Sequence, residues 1–568
     1  MGGVVGTEEM WGGKDNFRFG GYGSLLYNHR GLFASIAPSI NFNGSKHLEQ
    51  QEYQAEELLY QVRTPSSGRY NYRGIRGNIQ YEYGDKDLIG LALSWNKKTY
   101  DNQFESKEIL STKEVANRVV NNQNTFTSGE PRFTATAYWE TAFGQRGNQI
   151  WTELSYFHLS NNSQTDYAGR EHSSQIPFLA FTEYNDLNTS GLNLNNDYAF
   201  YLDADRKYLL EAGIKGSWTI TTNFRAHDES KSIGASIHQK NNIRWSELIV
   251  TPYVSTTLQF NKQWWIRLGL RYVGTKSHLR QEDKTSTTIP EVSRYDDLLL
   301  PTFHASYRPS SHHQMTLTLN SSIAHPKFRD LNPFEWQINE HSFYKGNTTL
   351  HPQQYYTGSL GYTFRNALSI RGRIKRGVGL ITSLSTMKGD KVYTQVENAQ
   401  NSLFWGVEAG YYFDKLSWMN AGIDGYYGRN RYTSTNQFLL PETKGNEWGM
   451  SGYLDFTFNK SRTWTGYLSG EYIGRKHTTV ATIEPQYDLG VGMSYFMLNR
   501  RLSLSVAGIS LLSSKYKGVS HRQGYSISFD NRFNYPTLYV SVSYKFSNAK
   551  DKSTSRSHRA TQEIERRF

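Results

Sequence analysis

Cysteine is absent from this 568-residue chain, and so is any run of about 18 apolar residues that could cross a bilayer as a helix. The mean hydropathy is −0.66. These absences exclude a helical membrane protein and a disulfide-stapled scaffold. They are compatible with a chain that passes through an oxidising envelope, where stray thiols would pair wrongly.

The common catalytic motifs are also missing. The sequence contains no Gly-x-Ser-x-Gly, no Gly-x-x-x-x-Gly-Lys-Ser/Thr loop, no Cys-x-x-Cys pair and no His-Glu-x-x-His helix. We therefore predict no enzyme activity, no catalytic residues, no cofactor and no metal. The formal charge of +12 is spread through loops, turns and the C-terminal tail, so a nucleic-acid partner is not indicated.

Alternating apolar and polar residues fill most of the chain. Near the C-terminus one face would carry Leu538, Val540, Val542, Tyr544 and Phe546, and the other Tyr539, Ser541, Ser543 and Lys545. Because successive side chains of a strand point to opposite faces, this pattern predicts one lipid face and one wet face. Tyrosine and tryptophan, 40 and 13 residues, suit the two membrane interfaces. The fold class expected is all-β, an antiparallel transmembrane up-and-down β-barrel.

Ten short polar turns separate pairs of such strands. They lie near residues 28–31, 84–87, 144–148, 203–206, 261–263, 309–313, 365–367, 414–415, 459–462 and 499–501. With a last strand at 536–546, about twenty-one strands are visible. The first, at 17–27, would run towards the periplasm, and single-chain barrels have an even strand number. We therefore predict a 22-strand barrel whose first strand lies upstream of this chain.

Longer segments, rich in charged and aromatic residues, would face the exterior. They span residues 43–67, 99–131, 161–195, 272–297, 324–354 and 433–447. Residues 1–15 lack the pattern of an export signal, which we also expect upstream. The predicted division is an N-terminal remnant at 1–16, an outer-membrane barrel at 17–547 and a polar tail at 548–568.

The segment from Pro301 to Phe364 carries a family resemblance. It is similar to the barrel of TonB-dependent receptors, in particular to the outer membrane protein beta-barrel family. In that family a Leu-Asn-Pro sequence precedes a Gly-Asn-Pro-x-Leu-x-Pro box, and Thr348 stands here in place of the first box proline. The matching residues, placed in an external loop, are Arg329, Leu331, Asn332, Pro333, Tyr344, Gly346, Asn347, Leu350 and Pro352, with Pro326 and Tyr362 flanking them.

The resemblance implies energised import across the bacterial outer membrane. Family members hold a plug domain in the barrel, the plug binds TonB, and external loops capture the ligand. About sixteen residues precede the first predicted strand, whereas a plug needs on the order of one hundred. We therefore expect the plug, like the signal, upstream of this chain, so that TonB would act only through it. The remaining partners expected are outer-membrane lipid and an unidentified small molecule, glycan or peptide.

Three groups of side chains are candidate ligand contacts. The aromatics Tyr184, Trp336, Phe343 and Tyr344 could stack on a ligand, although loop packing explains them equally well. The carboxylates Glu335, Glu340, Asp296 and Asp297 could line a cation or siderophore site, but solvated loop carboxylates are the simpler interpretation. The histidines His158, His172, His227, His312 and His313 favour no metal site, because adjacent strand residues such as His312 and His313 point to opposite faces.

Two functions remain open at this point. The first is the membrane barrel of a TonB-dependent transporter, and the alternative is an ungated structural or interaction barrel acting as a scaffold or adhesin. A soluble secreted β protein is disfavoured, because so large an apolar band would aggregate in water.

Overall fold

A computed structural model describes residues 2–12, 16–55, 58–84, 87–112, 118–172, 177–231, 236–282, 290–389, 391–478, 480–521, 525–546 and 567. Its first thirteen strands are β1 (Gly2–Trp11), β2 (Phe17–His29), β3 (Leu32–Ala55), β4 (Leu58–Glu82), β5 (Leu88–Thr112), β6 (Arg118–Phe143), β7 (Asn148–Glu171), β8 (Leu179–Tyr201), β9 (Tyr208–Lys231), β10 (Ser236–Gln259), β11 (Trp264–Gln281), β12 (Val292–Ser310) and β13 (His313–Ala324). A 3-10 turn at Arg329–Leu331 follows.

The remaining strands begin with a short hairpin, β14 (Glu335–Gln337) and β15 (Ser342–Lys345). They continue with β16 (Gln353–Phe364), β17 (Leu368–Lys388), β18 (Lys391–Leu416), β19 (Met419–Ser434), β20 (Glu442–Thr457), β21 (Trp464–Ile473), β22 (Lys476–His477), β23 (Thr482–Ile483), β24 (Gln486–Met497), β25 (Leu502–Ser513), β26 (Tyr516–His521), β27 (Tyr525–Asn531) and β28 (Thr537–Lys545).

The long strands form one closed antiparallel barrel. Of the 28 strands, the short β14, β15, β22, β23, β26 and β27 lie outside the ring, which leaves the predicted 22. Strand β1 closes the ring, because Thr7 faces Gly21 of β2 on one side and Val542 of β28 on the other. The prediction that the first strand lies upstream of the chain was therefore wrong. The sequence pattern does not indicate strand β1, because two adjacent valines and two adjacent glutamates interrupt the alternation of apolar and polar residues within residues 2–11.

The strands alternate as the sequence predicts. On β5 the apolar side chains of Ile89, Leu91, Leu93 and Trp95 are exposed on the outer face, while Ala92 between them is buried. Rings also pair at the ends of strands beside the short turns, where Trp264 stacks on Tyr307 and Trp464 on Tyr495, with centroids 4.2 and 4.4 Å apart. An apolar belt bordered by aromatic rings is the surface that a bilayer requires.

Nine of the ten short turns lie where the sequence places them, and the tenth lies at residues 417–418 rather than 414–415, which belong to β18; all ten are at one end of the barrel. The turn between β2 and β3 shows the local reason, since Gly31 has a φ of 81°, a conformation that a side chain disfavours. Within the described residues, no helix has the length and apolarity needed to cross a membrane.

The opposite end of the barrel is much taller than the sequence suggests. Strands β3 to β10 are 23 to 26 residues long, about twice what a bilayer needs. The pairing of β3 with β4 continues without interruption from Leu32 to Ala55. Most residues of the external segments predicted at 43–67, 99–131 and 161–195 are thus strand residues rather than loop residues.

The predicted polar tail, 548–568, lies outside the described residues except for Arg567. The guanidinium of Arg567 is buried in the lumen, where it pairs with the carboxylate of Glu247 and donates to the carbonyl of Pro326 at 3.0 Å. The ring of Phe328 lies 4.4 Å from this guanidinium.

Candidate functional site

Residues 325–352, between β13 and β16, fold into the barrel lumen, and we call them the lumenal segment. Inside it, β14 and β15 form a hairpin in which Trp336 faces Tyr344. Strand β15 then pairs in parallel with β18, with Ser342 opposite Val392. The region that the sequence places in an external loop is therefore an internal layer against the wall.

Apolar side chains anchor the lumenal segment. Phe328, Leu331, Phe334 and Leu350 are at most 6% exposed and belong to one cluster with inward-facing wall residues, namely Phe157, Leu159, Ile243, Trp245, Leu279 and Val396. Burying each large apolar side chain contributes roughly 1.5–3 kcal/mol. The segment is thus held against the wall by a core of its own.

Most of the family-motif residues shape this segment. Gly346 has no room for a side chain, because a Cβ would lie 2.2 Å from the carbonyl oxygen of Asn332. The amide of Asn347 donates to the carbonyl of Asp330 at 2.6 Å, and the hydroxyl of Tyr344 donates to the Asp330 carboxylate at 2.9 Å. Leu331, Asn332, Leu350 and Pro352 are buried, Pro333 is half-buried, and the Arg329 guanidinium lies 5.3 Å from the Tyr344 ring.

A buried arginine ties the segment to the wall. Arg225 on β9 pairs with Glu183 on β8 through hydrogen bonds of 2.6 and 2.8 Å. It also donates to the carbonyl of Glu335 at 3.1 Å and lies 4.6 Å from the ring of Trp336. Neither Arg225 nor Glu183 was predicted from the sequence, because the two residues are 42 positions apart and only strand register brings them together.

His227 shares the carboxylate of Glu183 at 2.9 Å and contacts Glu229 at 3.3 Å. Burial alone would lower the pKa of His227, but the hydrogen bonds and negative charges of Glu183 and Glu229 outweigh burial and raise it. The same burial lowers the pKa of Arg225 despite its pairing with Glu183.

A second contact joins the tip of the hairpin to the wall. Asn339 donates to the Tyr60 hydroxyl at 3.4 Å, and Glu340 forms an ion pair with Arg118 at 2.9 Å. The imidazole of His341 packs edge-on against the Tyr60 ring at 5.4 Å.

Glu108 lies beside this contact and accepts a hydrogen bond from Asn122. It is 1% exposed, and this burial raises its pKa to about 7. It stands on the external half of β5, beyond the bilayer.

The four predicted stacking aromatics do not form one cluster. Trp336 and Tyr344 are in edge-on contact, with centroids 5.3 Å apart, whereas Phe343 stacks on Tyr393 at 5.1 Å. Tyr184 is 41% exposed and neighbours the buried Glu183 along β8, so it faces away from the lumen. Of the four, Trp336 lines a cavity.

The candidate carboxylates and histidines are dispersed. Asp296 pairs with Arg294 at 2.8 Å and with His351 at 2.5 Å, while Glu335 and Asp297 are exposed. Among the histidines, His158 contacts Ser190, His172 contacts Asn121, His313 contacts Tyr362, and His312 lies in the turn before β13. Within the described part of the chain, no three His, Cys, Asp or Glu side chains are placed to hold a metal ion.

A cavity of about 760 Å³ separates the lumenal segment from the external halves of the strands, and it is our candidate binding site. Its wall includes Asn102 and Phe104 on β5 and Asn124 and Phe126 on β6, and Trp336 faces it from the segment. Sequence reasoning missed the wall residues because it assigned them to loops. The alternation that places Asn102, Phe104 and Ser106 on one face continues the alternation of the membrane-spanning part of β5. This continuation is the sequence signal that could have identified the wall residues.

Comparisons with known proteins agree with this architecture. The model of the outer membrane protein beta-barrel family matches residues 141–544. No curated protein sequence matches the chain.

Solved structures of outer-membrane receptors share the fold. The copper transporter OprC superposes with a TM-score of 0.60 at 12% identity, over 96% of this chain and 81% of its own. The siderophore receptor PiuA from Acinetobacter baumannii gives 0.63 at 10% identity, over 96% and 82%. The ferric enterobactin receptor PfeA from Pseudomonas aeruginosa, in complex with enterobactin, gives 0.59 at 12%, over 96% and 81%. The chain therefore belongs to the outer membrane protein beta-barrel family and forms a barrel of the bacterial outer membrane.

Proposed function

We propose that this barrel takes up a ligand across the outer membrane as the spanning part of a TonB-dependent transporter. The observation that carries the proposal is the cavity between the lumenal segment and the tall external wall. A ligand held there lies inside the barrel, among the external halves of the strands. A receptor that only displays its exterior to a partner has no need of such an internal site.

A plug domain is the partner that we propose for the lower lumen. A ring of 22 strands encloses more space than its own side chains fill, and barrels of this size are closed by a plug. Charged side chains line this region, among them Arg371, Arg373, Glu408 and Glu471, and Arg373 and Glu408 pair at 2.8 Å. Such groups suit a polar protein surface rather than a lipid or an apolar core.

The function is tested by uptake in the host. Deletion of the gene is expected to leave one solute unconsumed in the medium, and an uncoupler is expected to block uptake of the same solute by wild-type cells. Uptake that is independent of the gene, or unaffected by the uncoupler, would contradict active transport.

The second candidate, a scaffold or adhesin barrel without active transport, is favoured by the external wall of β3 to β10. That wall presents a broad surface above the membrane. Purified protein in planar bilayers separates the candidates, because a scaffold predicts silent membranes and tight binding of a partner to the outer surface. A transport barrel without its plug predicts ionic conductance. No enzyme activity is proposed.

A further inference from the structure

The wall of the candidate binding site has a composition that is informative about its ligand. Of its 23 lining residues, seven are Asn or Gln and six are Ser or Thr, while three are charged. One of those charges, Glu183, is already paired with Arg225. Amides and hydroxyls that outnumber charges four to one suit a neutral ligand with many hydrogen-bonding groups.

Four of these residues form a regular pattern, which we call the Asn–Phe checkerboard. On β5 and β6, Asn102 is opposite Phe126, and Phe104 is opposite Asn124. All four side chains line the cavity. Neighbouring strands lie about 4.8 Å apart and alternate residues on one strand about 6.8 Å apart, so each amide has an aromatic ring beside it on both axes.

The polar pattern continues onto the next strands. Phe126 is opposite Thr165 of β7, and Ser163 of β7 is opposite Asn185 of β8. The cavity wall therefore offers a grid of donors and acceptors at regular spacing, interrupted by flat apolar faces.

One acceptor in the grid has no partner. Among the described residues, no group donates to Oδ1 of Asn124, although that atom is buried. A buried acceptor without a hydrogen bond costs about 1–3 kcal/mol. Because this oxygen has almost no accessible surface, a ligand hydroxyl reaches it only when the Asn124 amide rotates towards the cavity.

Alternative ligands fit this wall less well. A chelated metal with a negative charge would call for several free cations, but the described lining holds one, Arg329. Copper prefers His, Cys or Met, and none of these lines the described cavity.

We propose that the Asn–Phe checkerboard binds a neutral oligosaccharide. Sugar rings would stack on Phe104 and Phe126 through their apolar faces, and ring hydroxyls would bond to Asn102 and Asn124. In a pyranose, the C–H groups and the hydroxyls point in different directions. An aromatic ring beside an amide can therefore contact the C–H face of the sugar while the amide bonds to its hydroxyls. This inference rests on the proposed function, since it names the class of ligand for the same cavity.

The test is a binding titration with the full chain in nanodiscs. The probes are maltohexaose, xylohexaose and mannohexaose, with ferric enterobactin and Cu²⁺ for comparison, and calorimetry gives Kd. We expect saturable binding of at least one oligosaccharide, weakened tenfold or more by Asn124→Leu and by Phe126→Ala. Gln123→Leu is the matched control, because Gln123 lies on the same strand with its side chain on the other face.

The outcomes separate the two proposals. If none of the three oligosaccharides binds, or if Asn124→Leu and Gln123→Leu weaken binding equally, the checkerboard proposal is overturned. If ferric enterobactin or Cu²⁺ binds instead and Phe126→Ala abolishes it, the ligand class is wrong and the transport proposal stands. Loss of transport itself is read from the uptake experiment, and heat-modifiable migration on gels verifies that each variant is folded.

Discussion

Arg225 and Glu183 form a fork of two hydrogen bonds on neighbouring strands, with side chains only 4% and 9% exposed. The same guanidinium lies against the Trp336 ring on the lumenal segment. One ion pair thus joins two strands of the wall to the layer that closes the cavity. Burial makes the loss of either partner costly, because the remaining charge would be buried without its counter-ion, whereas exposed pairs are worth at most about 1 kcal/mol.

We predict that Arg225→Ala loosens the lumenal segment. The substitution leaves the carboxylate of Glu183 buried with His227 as its remaining charged neighbour, and breaking a buried pair in this way costs about 3–5 kcal/mol. Hydrogen exchange of the amides in β14 and β15 should accelerate. Arg431→Ala is the control, because its pair with Glu442 is 57% and 36% exposed. Equal protection of the β15 amides in the Arg225 and Arg431 variants would show that the Arg225–Glu183 pair does not hold the lumenal segment against the wall.

The external wall should respond to pH through Glu108. Its pKa is raised to about 7 by burial, and Tyr60, Glu340, His341 and Arg118 surround it. A carboxyl whose pKa is higher in the folded state binds its proton more tightly there than in the unfolded chain. Its contribution to stability is therefore fully present below about pH 4.5 and is lost as the pH rises through about 7.

Infrared difference spectra of wild type against Glu108→Gln should show the carboxyl band disappear with a midpoint near pH 7. After correction for the intrinsic pH dependence of amide exchange, the protection factors at the external ends of β4 and β5 should be lower at pH 8 than at pH 5 in the wild type. The Glu108→Gln variant should lack this dependence. A midpoint near pH 4.5 would mean that water reaches the carboxylate.

Ring closure predicts a specific cross-link. Thr7 and Val542 are directly opposite each other on β1 and β28, and the chain has no cysteine of its own. Thr7→Cys with Val542→Cys should therefore form a disulfide on mild oxidation of the folded barrel, because opposite Cβ atoms lie about 4.5–5.5 Å apart. Thr7→Cys with Leu538→Cys, four residues out of register, should remain reduced. If neither pair links, β1 is not the closing strand.

The membrane half of this fold follows from local rules that a single sequence displays. Each turn reverses the chain beside residues such as Gly31, and each span shows period two, so strand number and register could be predicted. Strand β1 could not be predicted in this way, because its two faces do not differ clearly in polarity. Its position is fixed by two partner strands, β2 near the start of the chain and β28 near the end. Its pairing is a property of the closed ring.

The candidate site depends on longer-range information. The lumenal segment has apolar residues, such as Phe328 and Leu331, without strand periodicity, so nothing local distinguishes an inward fold from a loop. The motif around Gly346 lies in this segment, and of its residues Arg329 alone is in the described lining of the cavity. Asn102 and Phe126 become neighbours only when the strands are known to continue beyond the membrane.

Register itself can be tested with two adjacent residues on β25. Val506 is 48% exposed on the outer face and lies four residues after Leu502, where its strand begins. With the usual strand tilt, four residues place Val506 about 10 Å from the edge of an apolar band that is about 25 Å tall. Ser505 faces the lumen, and its hydroxyl is 2.8 Å from that of Ser494.

Val506→Arg should lower the free energy of unfolding in phosphatidylcholine vesicles by about 2–4 kcal/mol, because it places a charge in hydrocarbon near the middle of the bilayer. Ser505→Arg should cost less than about 1 kcal/mol, since its guanidinium reaches the water of the lumen. Urea titrations of both variants and the wild type measure the difference. Equal costs would contradict this assignment of the two faces. A larger cost for Ser505→Arg would reverse the two faces and with them the assignment of every lumenal side chain, since adjacent strands share one register around the ring.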